Sequence, residues 1–181
     1  LMNHRLQNGE FIPTLQQYLT EGSKIEGCQL ILEIKPHRNE VRDKRIADMC
    51  VELVRTLGLE KKTEYISFSK VVCQRLHEIT PDSKVAYLNG ELAPAQIKEM
   101  GLTGIDYNEK VFVKHPEWLQ EAKQLGVEVN VWTVDGEENL RHHVNLEGVD
   151  LITTNDPEIL KGILAEQEAA KQPASKKSKK K

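Results

Sequence analysis

The sequence lacks any apolar run long enough to span a bilayer, which takes about 20 consecutive apolar residues. No signal-like segment follows the start. That silence carries no weight in a chain opening on Leu1, where Met2 fits either an initiator behind a cloning residue or an internal position. Cysteine is scarce. Cys28, Cys50 and Cys73 are odd in number and widely spaced, which excludes a disulfide framework and a zinc pattern. Cys28 at the start of a strand and Cys50 among apolar helix residues are expected as buried free thiols. The six histidines form no metal-ligand spacing, and the adjacent His142 and His143 diverge on a helix. Neither G-x-G-x-x-G nor a P-loop occurs, so the Gly-rich phosphate cradle of an open, doubly wound sheet is missing.

What is there suffices for one folded domain: 181 residues, 39% of them hydrophobic. The formal charge of −3 hides an asymmetry. Six lysines, Lys171, Lys176, Lys177, Lys179, Lys180 and Lys181, crowd the end of the chain. Without them 19 basic residues face 28 acidic ones, so the body carries −9. An acidic body argues against a nucleic-acid surface. Residues 166–181 are read as a Lys-rich, disordered, solvated tail and residues 1–165 as the folded domain.

Punctuation along the chain is regular. Helices are predicted over residues 13–20, with Pro13 in the first turn, and over 39–57, 70–79, 94–100, 116–125, 137–146 and 157–170. Gly58, Gly101 and Gly126 stop three of them. Strands are predicted over 29–35, 64–68, 84–88, 104–107, 127–134 and 150–154. Six strands alternating with helices imply parallel βαβ units, hence either an open sheet or a (β/α)8 barrel with two units missing.

Two strands carry chemistry. In Leu30-Ile31-Leu32-Glu33-Ile34-Lys35-Pro36, side-chain alternation puts Ile31, Glu33 and Lys35 on one face. An acid and a base at the carboxyl end of a parallel strand suit either a structural ion pair or an active site. In the segment from Val127 to Val134, Val127, Val129 and Val131 would face helices while Asn130, Trp132 and Val134 point inward. Trp132 there suits either stacking on a ligand or filling a core.

Taken in order, several segments resemble glycerophosphodiester phosphodiesterases. They are Ile12-Pro13-Thr14-Leu15, Leu32-Glu33-Ile34-Lys35, Ser67-Phe68, Tyr87-Leu88, Val129-Asn130-Val131-Trp132-Thr133-Val134, Gly148-Val149-Asp150 and Ile152-Thr153-Thr154-Asn155-Asp156-Pro157. The resemblance runs from Asn8 to Leu164. It implies an α/β fold, a (β/α)8 TIM barrel here lacking its first two strands. It implies hydrolysis of glycerophosphodiesters to glycerol 3-phosphate and an alcohol with Mg²⁺ or Ca²⁺. It further implies Glu33 as a metal ligand, Lys35 beside the substrate phosphate, and Trp132 on the glycerol side.

The chain departs from the family at its start. The His-Arg-Gly strand, the Glu-x-Asp strand and the second His-bearing segment, which carry the acid/base histidines and further metal carboxylates, have no counterpart. His4-Arg5 is followed by Leu6 rather than glycine. No catalytic residue is therefore assigned, and the 181-residue chain is expected to be inactive alone. It reads either as the C-terminal portion of a phosphodiesterase or as a catalytically dead barrel kept for binding. A Schiff-base lyase using Lys35 ranks below both, since Glu33 would hold that amine protonated. A small-molecule substrate and no nucleic acid are expected; cytoplasm and periplasm fit equally, and the oligomeric state is open.

Overall fold

The computed structural model describes residues 5–37 and 39–171. His4 and most of the Lys-rich tail lie outside them. Six parallel strands form one sheet in sequential order: β1 (Leu30–Glu33), β2 (Thr63–Ser67), β3 (Val85–Tyr87), β4 (Gly104–Asn108), β5 (Glu128–Trp132) and β6 (Leu151–Ile152). Sequential order with helical crossovers is barrel topology, and the curled sheet is part of such a barrel. None of the described helices is long and apolar enough to cross a membrane.

Among the described residues eight α-helices join and flank the strands: α1 (Leu15–Ser23), α2 (Glu40–Thr56), α3 (Lys70–Ile79), α4 (Pro94–Glu99), α5 (Glu109–Lys114), α6 (Glu117–Leu125), α7 (Glu137–Val144) and α8 (Pro157–Lys171). Their ends follow local chemistry. Thr14, not the first turn's Pro13, starts α1 with a capping box to Gln17, so Pro13 precedes the helix. Asn39 and Ser69 cap α2 and α3 by accepting from backbone N–H groups. Gly126, in the left-handed region, ends α6 as expected. Helix α5 lies where the sequence pattern placed no element. Val111, Phe112 and Val113 favour strands, but the Asn108 side chain accepts from Lys110 N and starts a helical turn. Helix α8 reaches Lys171, so the first six residues read as tail are helical.

The two faces of the sheet differ. On the helix side Tyr65, Val85, Tyr87, Ile105, Tyr107, Val129 and Val131 are buried against Val54, Val72, Leu76, Ile97, Ala122 and Leu140. Val134, expected to point inward, belongs to this buried core, because the strand ends at Trp132 and its alternation stops there. The opposite, interior face carries Ile31, Glu64, Ile66, Lys84, Ala86, Asp106, Glu128, Asn130 and Thr153 around a cavity of about 340 Å³. The three cysteines are free, but only Cys73 is fully buried. Cys28 and Cys50 are half-buried, since Cys28 lies before β1 begins and Cys50 sits at the margin of the α2 apolar stripe.

Candidate active site

Glu33 is the last residue of β1, and the chain then leaves the sheet toward Pro36. The strand is shorter than the predicted 29–35, yet alternation persists beyond it: Ile34 is buried on the helix side and donates its N–H to Ile66 O. Glu33 and Lys35 thus share the interior side. Lys35 Nζ stands 3.8 Å from Glu33 Oε1, and the lysine side chain is 76% exposed. That distance is an ion pair, not a hydrogen bond. Glu33 Oε1 is itself buried and has no hydrogen-bond partner among the described residues. A buried carboxylate oxygen left unsatisfied is costly, and a hard cation is one partner that satisfies it.

Trp132 ends β5 at the same end of the sheet. Its Nε1–H donates to Asp106 O at 2.7 Å, and its ring meets Phe68 edge-on at 6.0 Å between centroids. Phe68 follows β2 directly, so the end of β2 and the backbone of β4 hold the indole from two sides. Glu33, Lys35 and Trp132 therefore all lie at the carboxyl ends of the strands, the end where parallel barrels place their chemistry.

Between them lies Asp106, which the sequence reading did not single out. It occupies the middle of β4, only 4% exposed, on the face opposite Ile105 and Tyr107. Its Oδ1 accepts from Asn130 Nδ2 at 2.9 Å, and the same nitrogen donates to Thr153 Oγ1 at 2.9 Å. Burial pushes the Asp106 carboxyl up to about 6. The Asn130 bond opposes that shift, and the nearby negative charge of Glu33 adds to it. The signal was available: an acid inside the apolar strand Gly104-Ile105-Asp106-Tyr107 poses the same question as Glu33 in its own strand.

The loops beyond the strands are tied by further polar bonds. Tyr87 Oη donates to Glu91 Oε1 at 2.6 Å, where Lys70 Nζ also arrives at 2.9 Å, and Asn89 Nδ2 donates to Glu91 Oε2. Burial works against this carboxylate, but the bonds from Tyr87, Lys70 and Asn89 hold its pKa below the usual range. Asp135 accepts from the backbone N–H and side chain of Asn155, and Asp156 accepts from Gly136 N. The Thr154-Asn155-Asp156 segment thus clamps the β5–α7 loop to the β6–α8 loop. Among the described residues no three His, Cys, Asp or Glu side chains gather in a metal-holding group.

Comparison with known proteins agrees with this architecture. The model of the glycerophosphoryl diester phosphodiesterase family matches residues 2–159. A glycerophosphodiester phosphodiesterase from Parabacteroides distasonis is 42% identical, with a TM-score of 0.89 over 93% of this chain and 70% of its own. A glycerophosphodiester phosphodiesterase from Agrobacterium tumefaciens (22% identity, TM-score 0.65) matches 85% of this chain and 63% of its own length. An Oleispira antarctica phosphodiesterase, solved with the product sn-glycerol-3-phosphate (18%, TM-score 0.70), matches 87% and 63%. At those lower identities the likeness is one of fold. No curated protein matches the chain significantly. The chain belongs to the glycerophosphoryl diester phosphodiesterase family.

Proposed function

We propose that this chain forms the cation-and-phosphate side of a site that hydrolyses glycerophosphodiesters to glycerol 3-phosphate and an alcohol. The observation that carries the reading is the buried Glu33 Oε1, without a hydrogen-bond partner among the described residues, with the Lys35 ammonium 3.8 Å away on the open side. Glu33 would hold a divalent cation, Mg²⁺ or Ca²⁺, both of which favour carboxylate oxygens. Such an ion supplies charge stabilisation to the phosphoryl oxygens. Lys35 offers a compact positive charge to the phosphate, and its exposure leaves it free to reach one. The Trp132 ring, fixed by Asp106 O and Phe68, offers an apolar wall to the glycerol carbons.

We read the sheet as six of the eight strands of a barrel, without the first two. Supporting this, the interior-facing Ile31 on β1 and Leu151 on β6 are 52% and 45% exposed, and both belong to strands with one neighbour each. No residue of the chain matches the family's acid/base histidines, so the 181-residue chain should not turn over substrate by itself.

The test uses the purified chain with Mg²⁺. Glycerophosphocholine hydrolysis, followed by release of glycerol 3-phosphate, should stay at the buffer rate, while calorimetry should detect binding of sn-glycerol 3-phosphate. Lys35→Ala should weaken that binding about tenfold, the loss of one charge-assisted contact of about 1.4 kcal/mol. Turnover at an ordinary enzymatic rate would refute the inactivity and turn attention to His37, His77 and His115 as acids. Binding indifferent to Lys35→Ala would remove the phosphate role of Lys35.

A further inference from the structure

The interior face holds charge at both ends, and the two ends differ. At the amino end of the strands Lys84 Nζ lies 2.7 Å from Glu128 Oε2 and 3.6 Å from Glu64 Oε1, and Gln29 Nε2 donates to the same Glu64 oxygen. That group supplies its own cation. Toward the carboxyl end Glu33 and Asp106 face the interior, with the exposed Lys35 at 3.8 Å from Glu33. Glu33 Oε1 and Asn130 Oδ1 are both buried and without a hydrogen-bond partner among the described residues. The orientation of the Asn130 amide is fixed by its neighbours: its nitrogen must donate to the Asp106 carboxylate, so its oxygen faces the remaining space. Asp106 is likewise bonded through one oxygen, Oδ1, and no described residue donates to Oδ2. Three strands thus bring three oxygen-bearing side chains with spare acceptor capacity to one buried region. A hard divalent cation takes such a set: carboxylate and amide oxygens, completed by water.

We propose that Asp106 is a second carboxylate of the cation site whose first is Glu33, and that Asn130 both positions it and adds an amide oxygen. This rests on the reading of Glu33 as a cation ligand given above. It enlarges the site with residues of β4 and β5, strands to which the family resemblance assigned no ligand. Asn130 pins the Asp106 carboxylate through Oδ1, leaving Oδ2 for the ion. Thr153, which accepts from the same Asn130 nitrogen, fixes the amide plane. An aspartate whose only purpose was to accept from Asn130 would be replaceable by asparagine, which accepts equally well there.

The test is Mn²⁺ binding to the 181-residue chain at pH 7.5, read by the loss of the free-ion electron paramagnetic resonance signal, for the wild type, Glu33→Gln, Asp106→Asn and Asn130→Ala. Near-ultraviolet circular dichroism checks that each variant keeps its packed aromatic signal. Paramagnetic broadening of assigned amide resonances provides a readout on the wild type alone. The expected result is loss of binding in Glu33→Gln, a tenfold or greater loss in Asp106→Asn, a smaller loss in Asn130→Ala, and selective broadening around residues 33, 106 and 130. Wild-type affinity in Asp106→Asn, with binding abolished in Glu33→Gln, would overturn the role of Asp106 and leave that of Glu33 standing. Absence of Mn²⁺ binding by the wild type would overturn both.

Discussion

In the cation-free protein, Asp106→Asn should stabilise the fold, and only at neutral pH. The carboxyl of Asp106 titrates at about 6 when folded against 3.8 as its ordinary value. Between those pH values the folded state holds a proton that the unfolded chain has released. Stability therefore falls as pH rises through this window, and the full penalty applies above about pH 6. Roughly two pH units correspond to about 3 kcal/mol. Asparagine keeps the acceptor for Asn130 Nδ2, the only hydrogen bond made by the carboxylate among the described residues, and removes the charge. We expect the variant to exceed the wild type by up to about 3 kcal/mol at pH 7.5, and to match it near pH 4, where the wild-type residue is neutral in the fold. For a chain of this size that is a rise in Tm of about 6–12 °C. The assay is urea unfolding at micromolar protein in chelator, followed by tryptophan fluorescence at both pH values. A variant less stable than the wild type at pH 7.5, or a difference that does not change with pH, would refute the reasoning.

Two further outcomes follow from packing. Trp132→Ala removes the edge contact with Phe68 and the bond to Asp106 O, and should cost about 3 kcal/mol, whereas Trp132→Phe should cost about 1 kcal/mol by losing chiefly the bond; equal costs in thermal denaturation would contradict this division. Burial pushes the Cys73 thiol up to about 12, so a disulfide reagent at pH 8 should modify Cys28 and Cys50 in the native protein and reach Cys73 only after unfolding; prompt reaction of three thiols would show that the α3–sheet contact opens readily.

The strand–helix order was legible because the elements carry their own punctuation: Gly58, Gly101 and Gly126 just past helix ends, and apolar runs short enough to be strands. Two things escaped. Helix α5 is six residues long and rich in β-favouring side chains, and it exists because Asn108 caps it at the close of β4. Asp106 escaped for a different reason. Glu33 stood out because a lysine two residues away announced a charged face, while Asp106 has only Ile105 and Tyr107 beside it, and its partner Asn130 lies on another strand 24 residues along the chain. Register creates that pairing: Asp106 opposes Asn130 across the β4–β5 ladder, a relation that no local pattern contains.

The same register explains why the chemistry gathers where it does. Each strand alternates a helix-facing apolar residue with an interior-facing one, so the packing that buries Ile105, Tyr107, Val129 and Val131 also fixes the direction of Asp106, Asn130 and Trp132. The interior positions are thereby free of the demands of the hydrophobic core, whose side chains lie on the other face of the sheet. They can carry charge, and they do so in two balances. Lys84 sits between Glu64 and Glu128 at one end and leaves little for a ligand to satisfy. At the other end two carboxylates again face one lysine, but Lys35 comes no nearer to Glu33 than 3.8 Å, and Glu33 and Asn130 keep acceptor oxygens open among the described residues. A fold held from outside can tolerate that deficit, because the cost of two facing carboxylates is spread over a sheet anchored by its helices. The deficit is also what a cation and a phosphate, bound together, would cancel: the ion against Glu33 and Asp106, the phosphate against the ion and Lys35.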